Sequence, residues 1–411
     1  MILSALSLLL AAPSLAAPGD HIRAGDAVVV PEVDVGMEYR TNVFRTEADG
    51  TPGANLRLSP GVDIDVDNPM NQFKLGGEWE LRKFIFVGDD GSGKSASERN
   101  ASLDQSNQCG VNAILDALKH ETVGLQLRNV SSVRNNLTDA AIAASPFNTR
   151  IRNNLGGGLR ISPGQALAIT PGAVWVYDDF RTAGGDGRRY NQRSTYGPNL
   201  ESRWDFFPRT ALVLNGSYLI NDWSENSITQ GVDPSLNGGL IETPNSSHLK
   251  FETGLSGRFS TKLFLDLLLG YGAAVYEGSD KSLNVSGLQG TRASVQLRYV
   301  MSDSAQASVG YKKDFTDSFF TNYIAYNNVY AMLQGNLSGF RPSMKYSYRS
   351  EAYNGLDQRQ DILMRFDLNM AYDMRTWASL NGGFGWQQRA SSVDTVEYDD
   401  LQVRVFGTFK Y

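Results

Sequence analysis

Apolar and polar side chains alternate with period two along almost the whole chain, and this feature narrows the possible folds most. It is plainest at the C-terminal end. There Leu401, Val403, Val405, Gly407, Phe409 and Tyr411 share one parity and Gln402, Arg404, Thr408 and Lys410 the other, with Phe406 the exception. A strand sends successive side chains to opposite faces, so such a segment needs an apolar medium on one side and water on the other. The pattern returns where Ile362, Met364, Phe366 and Leu368 oppose Asp361, Arg365, Asp367 and Asn369. It also returns where Leu56, Leu58, Val62 and Ile64 oppose Arg57, Ser59, Asp63 and Asp65.

Applied along the chain, the same test predicts strands near 29–40, 54–66, 71–85, 109–117, 121–134, 148–161, 165–178, 190–206, 210–222, 247–260, 262–277, 290–301, 305–315, 320–337, 340–350, 357–373, 376–388 and 397–411. Each suffices for the roughly 9 to 11 residues that a tilted strand needs to cross a bilayer. The connections alternate in length: short at Asp67–Met70, Leu118–His120 and Pro208–Arg209, long at Thr41–Gly53, Phe86–Gln108 and Trp223–Ser246. Outer-membrane barrels join tight periplasmic turns to long external loops. The expectation is therefore an all-β fold, a transmembrane outer-membrane antiparallel β-barrel of about eighteen strands over residues 29–411, with both termini periplasmic.

Ahead of it, residues 1–17 form an apolar run closed by Ser14-Leu15-Ala16-Ala17, the pattern of a signal peptide, although no Lys or Arg precedes the run. Residues 18–28 are expected to be a short periplasmic N-terminal segment. Beyond the signal no apolar run reaches the roughly 18 residues of a membrane helix; Leu263–Tyr276 comes nearest and is cut by Asp266. A mean hydropathy of -0.31 does not argue against a membrane, because alternation averages the lipid-facing and water-facing residues. The single cysteine, Cys109, excludes an intramolecular disulfide. A net charge of -6 gives no sign of nucleic-acid binding.

Aromatic residues gather near strand ends, as in Trp204, Phe206 and Phe207, in Phe319, Phe320 and Tyr323, in Tyr346 and Tyr348, and in Phe384 and Trp386. They suit interfacial girdles against outer-membrane lipid. A chain ending in Phe409-Lys410-Tyr411 resembles the last strand recognised by barrel-insertion machinery. The stretch from Val33 through Tyr39, Asn42 and Thr46, continuing to Leu58-Ser59-Pro60-Gly61-Val62, resembles the opening of an outer-membrane β-barrel porin family associated with myxobacterial polysaccharide export. The resemblance covers roughly thirty residues and departs at Arg40, where the family has an acidic or small residue. It implies a partner, a periplasmic polysaccharide-export protein, and brings no catalytic residues.

Several motifs offer other chemistry. Gly88 to Ser95 matches G-x-x-x-x-G-K-[ST] after the apolar stretch Phe84–Val87. A phosphate loop needs a following helix, and Ala96 to Gln108 is polar and without helical period, so a Gly/Ser loop is expected there. His21, His120 and His248 fall at different ends of the predicted barrel and cannot form one metal site or triad. The acidic pairs Asp63/Asp65 and Glu78/Glu80 are expected to meet basic residues on neighbouring strands rather than act as a carboxylate dyad. Asp178-Asp179 and Asp399-Asp400 read as solvated loop charge, since they lack the spaced ligands of a calcium loop. No cofactor is expected, no catalytic residues emerge, and the chain reads as something other than an enzyme.

The parity opposite the apolar one carries Arg57, Lys74, Arg82, Arg128, Arg150, Arg152, Arg160, Arg203, Arg258, Arg292, Arg298, Lys345, Arg365 and Arg404, the candidate lumen-lining residues. Acidic residues of that parity are about half as many, so the wall should favour anions unless its charges cancel in cross-strand ladders. The leading expectation is a conduit exporting a polysaccharide. The alternatives are a passive diffusion porin for small anionic solutes and a barrel-anchored adhesin or receptor.

Overall fold

The computed structural model describes residues 21–45, 50–89, 93, 95–103, 105–137, 147–182, 189–224, 228–229, 241–242, 245–277, 287–317, 323–354 and 359–411. The signal-like run Met1–Ala17 lies outside them, as do Phe319 and Phe320. Eighteen long strands make the fold: β1 Ala27–Arg40, β2 Gly53–Asp67, β3 Asn71–Val87, β4 Gln105–Ala117, β5 Val123–Leu137, β6 Phe147–Ile161, β7 Leu167–Thr182, β8 Arg189–Phe207 and β9 Thr210–Trp223. The second half comprises β10 Ser246–Arg258, β11 Leu263–Tyr276, β12 Leu288–Ser302, β13 Ala305–Asp317, β14 Tyr323–Gly335, β15 Phe340–Asn354, β16 Gln360–Arg375, β17 Ala378–Ser391 and β18 Tyr398–Lys410. A three-residue strand, Ile22–Ala24, folds back on the start of β1, and Ile228–Thr229 pairs with Ile241–Glu242 in a long connection.

Each strand pairs antiparallel with its sequence neighbours, and β18 returns to pair with β1 from Glu32↔Lys410 to Arg40↔Gln402. The sheet is thus a closed antiparallel barrel without a free long edge. All eighteen predicted strands are present. The largest differences lie at the end with long connections, where β4 begins at Gln105 rather than 109, β7 runs on to Thr182 and β15 to Asn354.

The tight turns are built from local hydrogen bonds. Asn68 Oδ1 accepts the backbone N–H of Met70 at 3.1 Å and of Asn71 at 2.8 Å, and Ser260 Oγ does the same for Lys262 and Leu263. Gly339 turns with φ +89, a conformation that only glycine adopts freely. At the other end the chain is less regular. Connection 41–52 packs Val43 against Phe84 and Val87. Connection 88–104 contains a helix, α1 (Ala96–Leu103), contrary to the coil expected there. Its cause is local: Ser95 Oγ donates to Glu98 Oε2 at 2.7 Å and accepts the Glu98 N–H at 3.4 Å, while Glu98 Oε2 accepts the Ser95 N–H, a capping box that needs no apolar face.

Side chains sort by parity. Met37, Leu56, Trp79, Leu155, Leu269, Val309 and Val403 stand exposed on the outer face. Trp204, Phe206, Phe207, Phe259 and Tyr372 ring the short-turn end and Tyr196, Tyr271 and Tyr348 stand higher on the same face, as two girdles would. Tyr323 does not belong to them; it is buried with Tyr276 and Phe315 on the inner side. Strands also approach closely: a Cβ at Gly270 of β11 would lie 1.9 Å from the Phe251 carbonyl oxygen, whereas one at Gly290 of β12 would touch nothing within 4 Å. Gly270→Val is therefore expected to lower the yield of the heat-modifiable, folded electrophoretic band sharply, and Gly290→Val to leave it near wild type.

Candidate functional site: the basic inner wall

Parity brings the charged residues to the inner face, and contacts between strands that are not neighbours identify it as the concave one. Arg134 of β5 reaches Glu78 of β3, Lys250 of β10 reaches Asp314 of β13 at 3.3 Å, and Arg404 of β18 donates to Asn369 of β16 at 2.7 Å. Such pairs meet only across the inside of a curved sheet.

The densest group spans β16 to β18 and β1 to β3, from the long-connection end to about mid-depth. A cavity of about 230 Å³ is lined by Arg40, Arg45, Arg57, Arg82, Arg365 and Arg404, against Glu38, Asp367 and Asp400. Buried Glu80 lies in contact with two of these arginines: Arg57 at 2.8 Å and Arg82 at 2.6 Å. Glu38 takes Arg40 at 2.8 Å, and Asp400 faces Arg40 at 3.6 Å and Arg45 at 3.5 Å. Six guanidinium groups thus stand against four carboxylates. Arg45 has a left-handed φ of 52, uncommon for a side-chain-bearing residue, and its guanidinium lies over the Tyr398 ring.

The same plan recurs around the barrel. Asp178 of β7, wholly buried, holds Arg150 at 2.7 Å, Arg193 at 2.8 Å and Arg152 at 3.8 Å. Asp314 of β13 takes both Arg292 nitrogens at 2.8 and 3.0 Å, with Lys250 and Lys312 each at 3.3 Å. Between β15 and β18, Asp361 faces Arg359 at 3.0 Å and Arg389 at 3.5 Å. Asp178 and Asp314 each orient two or more cations by charge-assisted bonds, while Asp361 faces its two cations as ion pairs only, so pairing fixes the cations without cancelling their charge. A fourth group contains no arginine or lysine. Asp317 meets His248 Nε2 at 2.6 Å, Tyr276 Oη at 3.0 Å and Ser246 Oγ at 2.8 Å, and Asn221 also donates to it.

All fourteen residues predicted from sequence lie in strands at inner parity, but their surroundings differ. Arg57, Arg82, Arg365 and Arg404 line the arginine cavity, and Arg150, Arg152 and Arg292 belong to the groups just described. Lys74 pairs with Asp65 at 3.1 Å, Arg203 with Asp205 at 2.9 Å, and Arg160 faces Asp116 at 3.7 Å. Arg258 and Arg298 both lie over the Phe264 ring and Lys345 over Tyr330. Arg128 is exposed on the inner wall beside Asp116 and Glu201.

Sequence reasoning missed Arg40, Arg45, Arg134 and Arg193 in this role, and it placed Asp178, Asp179 and Asp400 wrongly. They are not solvated loop charges: Asp178 and Asp179 continue β7, Asp400 lies in β18, and all three are buried. Arg40, Arg134, Arg193, Asp178 and Asp400 stand at inner parity within the predicted strands, so the parity test carried to the strand ends finds them, whereas Arg45, outside any strand, and Asp179, at the other parity, leave no such signal. Of the two acidic pairs, Asp65, Glu78 and Glu80 meet basic partners as expected. Among the described residues no cluster of His, Cys, Asp and Glu could hold a metal.

No family profile and no curated protein sequence matches the chain. Solved structures are similar. With OccK2 (OpdF) of Pseudomonas aeruginosa, crystallised with glucuronate, the TM-score is 0.50 at 12% identity over 94% of this chain and 98% of that one. For OccAB3 of Acinetobacter baumannii the TM-score is 0.48 at 11% identity, covering 94% and 100%. For OprD of Pseudomonas aeruginosa it is 0.45 at 11% identity, covering 96% and 98%. At such identity the likeness concerns the fold, a closed eighteen-strand antiparallel outer-membrane barrel.

Removing a buried anchor should destabilise the wall. Asp178→Ala leaves three guanidinium groups without their shared carboxylate, a loss on the order of 3 kcal/mol or more for a buried ion pair broken on one side. The expected result is a clearly lower guanidinium unfolding midpoint than for Asp65→Ala, whose carboxylate is half-exposed.

Proposed function

We propose that the barrel is a passive conduit for small anionic solutes across the outer membrane. The carrying observation is the arginine cavity on the inner wall, where six guanidinium groups outnumber the carboxylates that hold them. A guanidinium held by one carboxylate still presents free donor edges, and a row of them offers an anion successive partners at similar energy. Conduction needs binding strong enough to admit a solute and weak enough to release it. Carboxylates fit this wall best because their two oxygens match the guanidinium fork. The similar barrel OccK2, seen with glucuronate, supports that choice of solute class.

The fourteen inner-parity bases act in this reading as the lumen lining. The long connections face outside the cell and both termini lie in the periplasm, following the usual asymmetry of turn and loop length. Export of a polysaccharide rests only on the short resemblance around Val33–Val62 and is the weaker reading. The wall chemistry suits a small carboxylate without needing a periplasmic export partner.

Planar-bilayer recording tests the proposal. In a potassium chloride gradient the wild type is expected to show a reversal potential of anion-preferring sign. Exchanging Arg57, Arg82 and Arg404 together for Gln should move it towards zero. A cation-preferring wild type, or a triple variant with unchanged selectivity, would contradict the reading.

A further inference from the structure

A second concave site lies on another part of the inner wall, away from the arginine cavity. It is a recess of about 510 Å³ over strands β4 to β8. Its floor is glycine: Gly156 and Gly158 of β6 line it at inner positions without side chains, and Gly172 of β7 pairs with Gly158 on one side and Asn199 on the other. The three differ in what the fold demands. A Cβ at Gly172 would come within 2.5 Å of the Gly157 carbonyl oxygen, so glycine is needed there for close strand approach. A Cβ at Gly156 would meet nothing within 4 Å. Strand packing therefore gives no reason for glycine at position 156, and its effect is to leave the recess open.

The walls carry polar groups in need of partners. Asp116 Oδ1 and Asn199 Oδ1 are buried and accept no hydrogen bond among the described residues. Asp116 uses its other oxygen towards Arg160 at 3.7 Å. Glu201 and Arg128, both exposed to the recess, make no ion pair among the described residues, and the amides of Gln126 and Asn154 lie beside them. A buried acceptor without a donor is costly, and an inner wall that holds two of them and the open Glu201 carboxylate around one hollow is matched to a ligand rich in donors.

The geometry points to a binding station for the polyhydroxylated ring of a sugar. Hydroxyl groups donate to the Asp116, Asn199 and Glu201 oxygens and accept from Arg128 and the two amides. A simple cation matches less well, because Arg128 stands in the same recess. A simple anion is opposed by Asp116 and Glu201. The inference rests on the reading of the barrel as a solute conduit, since only a solute within the lumen reaches this wall.

The test uses the full chain in a sugar-free zwitterionic detergent, with D-glucose as the probe and saturation-transfer NMR as the readout. The wild type is expected to give saturable binding in the millimolar range. Gly156→Leu, which fills the recess, and Glu201→Gln, which alters it at constant size, should each weaken binding at least tenfold while keeping the heat-modifiable folded band. Arg57→Gln, in the other cavity, should leave glucose binding unchanged. Absence of saturable binding in the wild type, or binding that survives Gly156→Leu, would overturn the inference. So would a glucose signal displaced by glycine but not by galactose. The reversal potential judges the anion reading separately, so either proposal can fail while the other stands.

Discussion

Within hydrocarbon a backbone N–H or C=O has no water to turn to, and leaving one unpaired costs several kcal/mol. A sheet can meet that demand only by having no edge, and the pairing of β1 with β18 supplies the closure. Everything else in this protein follows from it. Once the sheet is a ring, one parity of every strand must face lipid and the other the interior, and the alternation of the sequence decides which side chains go where.

The interior then sets a second problem. A ring of eighteen strands is too wide for side chains to fill, so its wall must be lined with groups that hold their positions facing water. This chain does so with buried carboxylates that each bind several cations, as Asp178 does for Arg150, Arg193 and Arg152. Bonds of this kind stiffen the wall and keep an excess of positive charge on it. Cross-strand ion pairing and the proposed anion preference thus rest on the same residues, whereas the sequence presents them as rival explanations.

Strand number, order and parity were legible because lipid acts on every strand at the same time and leaves a periodic trace. The trace stops where the strands rise beyond the lipid. The ends of β7 and β15 and the beginning of β4 carry no apolar outer face, so the sequence reads as loop although pairing continues. Asp178 stands at the border of that zone and Asp179 inside it, so both read as solvated charge, yet they are among the most buried residues of the wall. Helix α1 was hidden for a different reason: it forms from a local cap at Ser95 and Glu98, a signal without periodicity. The glycine-floored recess was not legible at all. Gly156, Gly158 and Gly172 look like turn or spacing residues until the register sets them beside Asp116 and Asn199.

The division into a lipid-facing and a water-facing parity can be measured residue by residue. A nitroxide label placed in turn at positions 401 to 408 of β18, with the protein in lipid vesicles, reports collision with oxygen, which partitions into lipid, and with a water-soluble nickel complex. The account predicts that oxygen dominates at Leu401, Val403 and Val405 and nickel at Gln402, Arg404 and Thr408, with a period of two. Equal access to both reagents along the segment, or a period near 3.6, would contradict the closed barrel on which the rest depends.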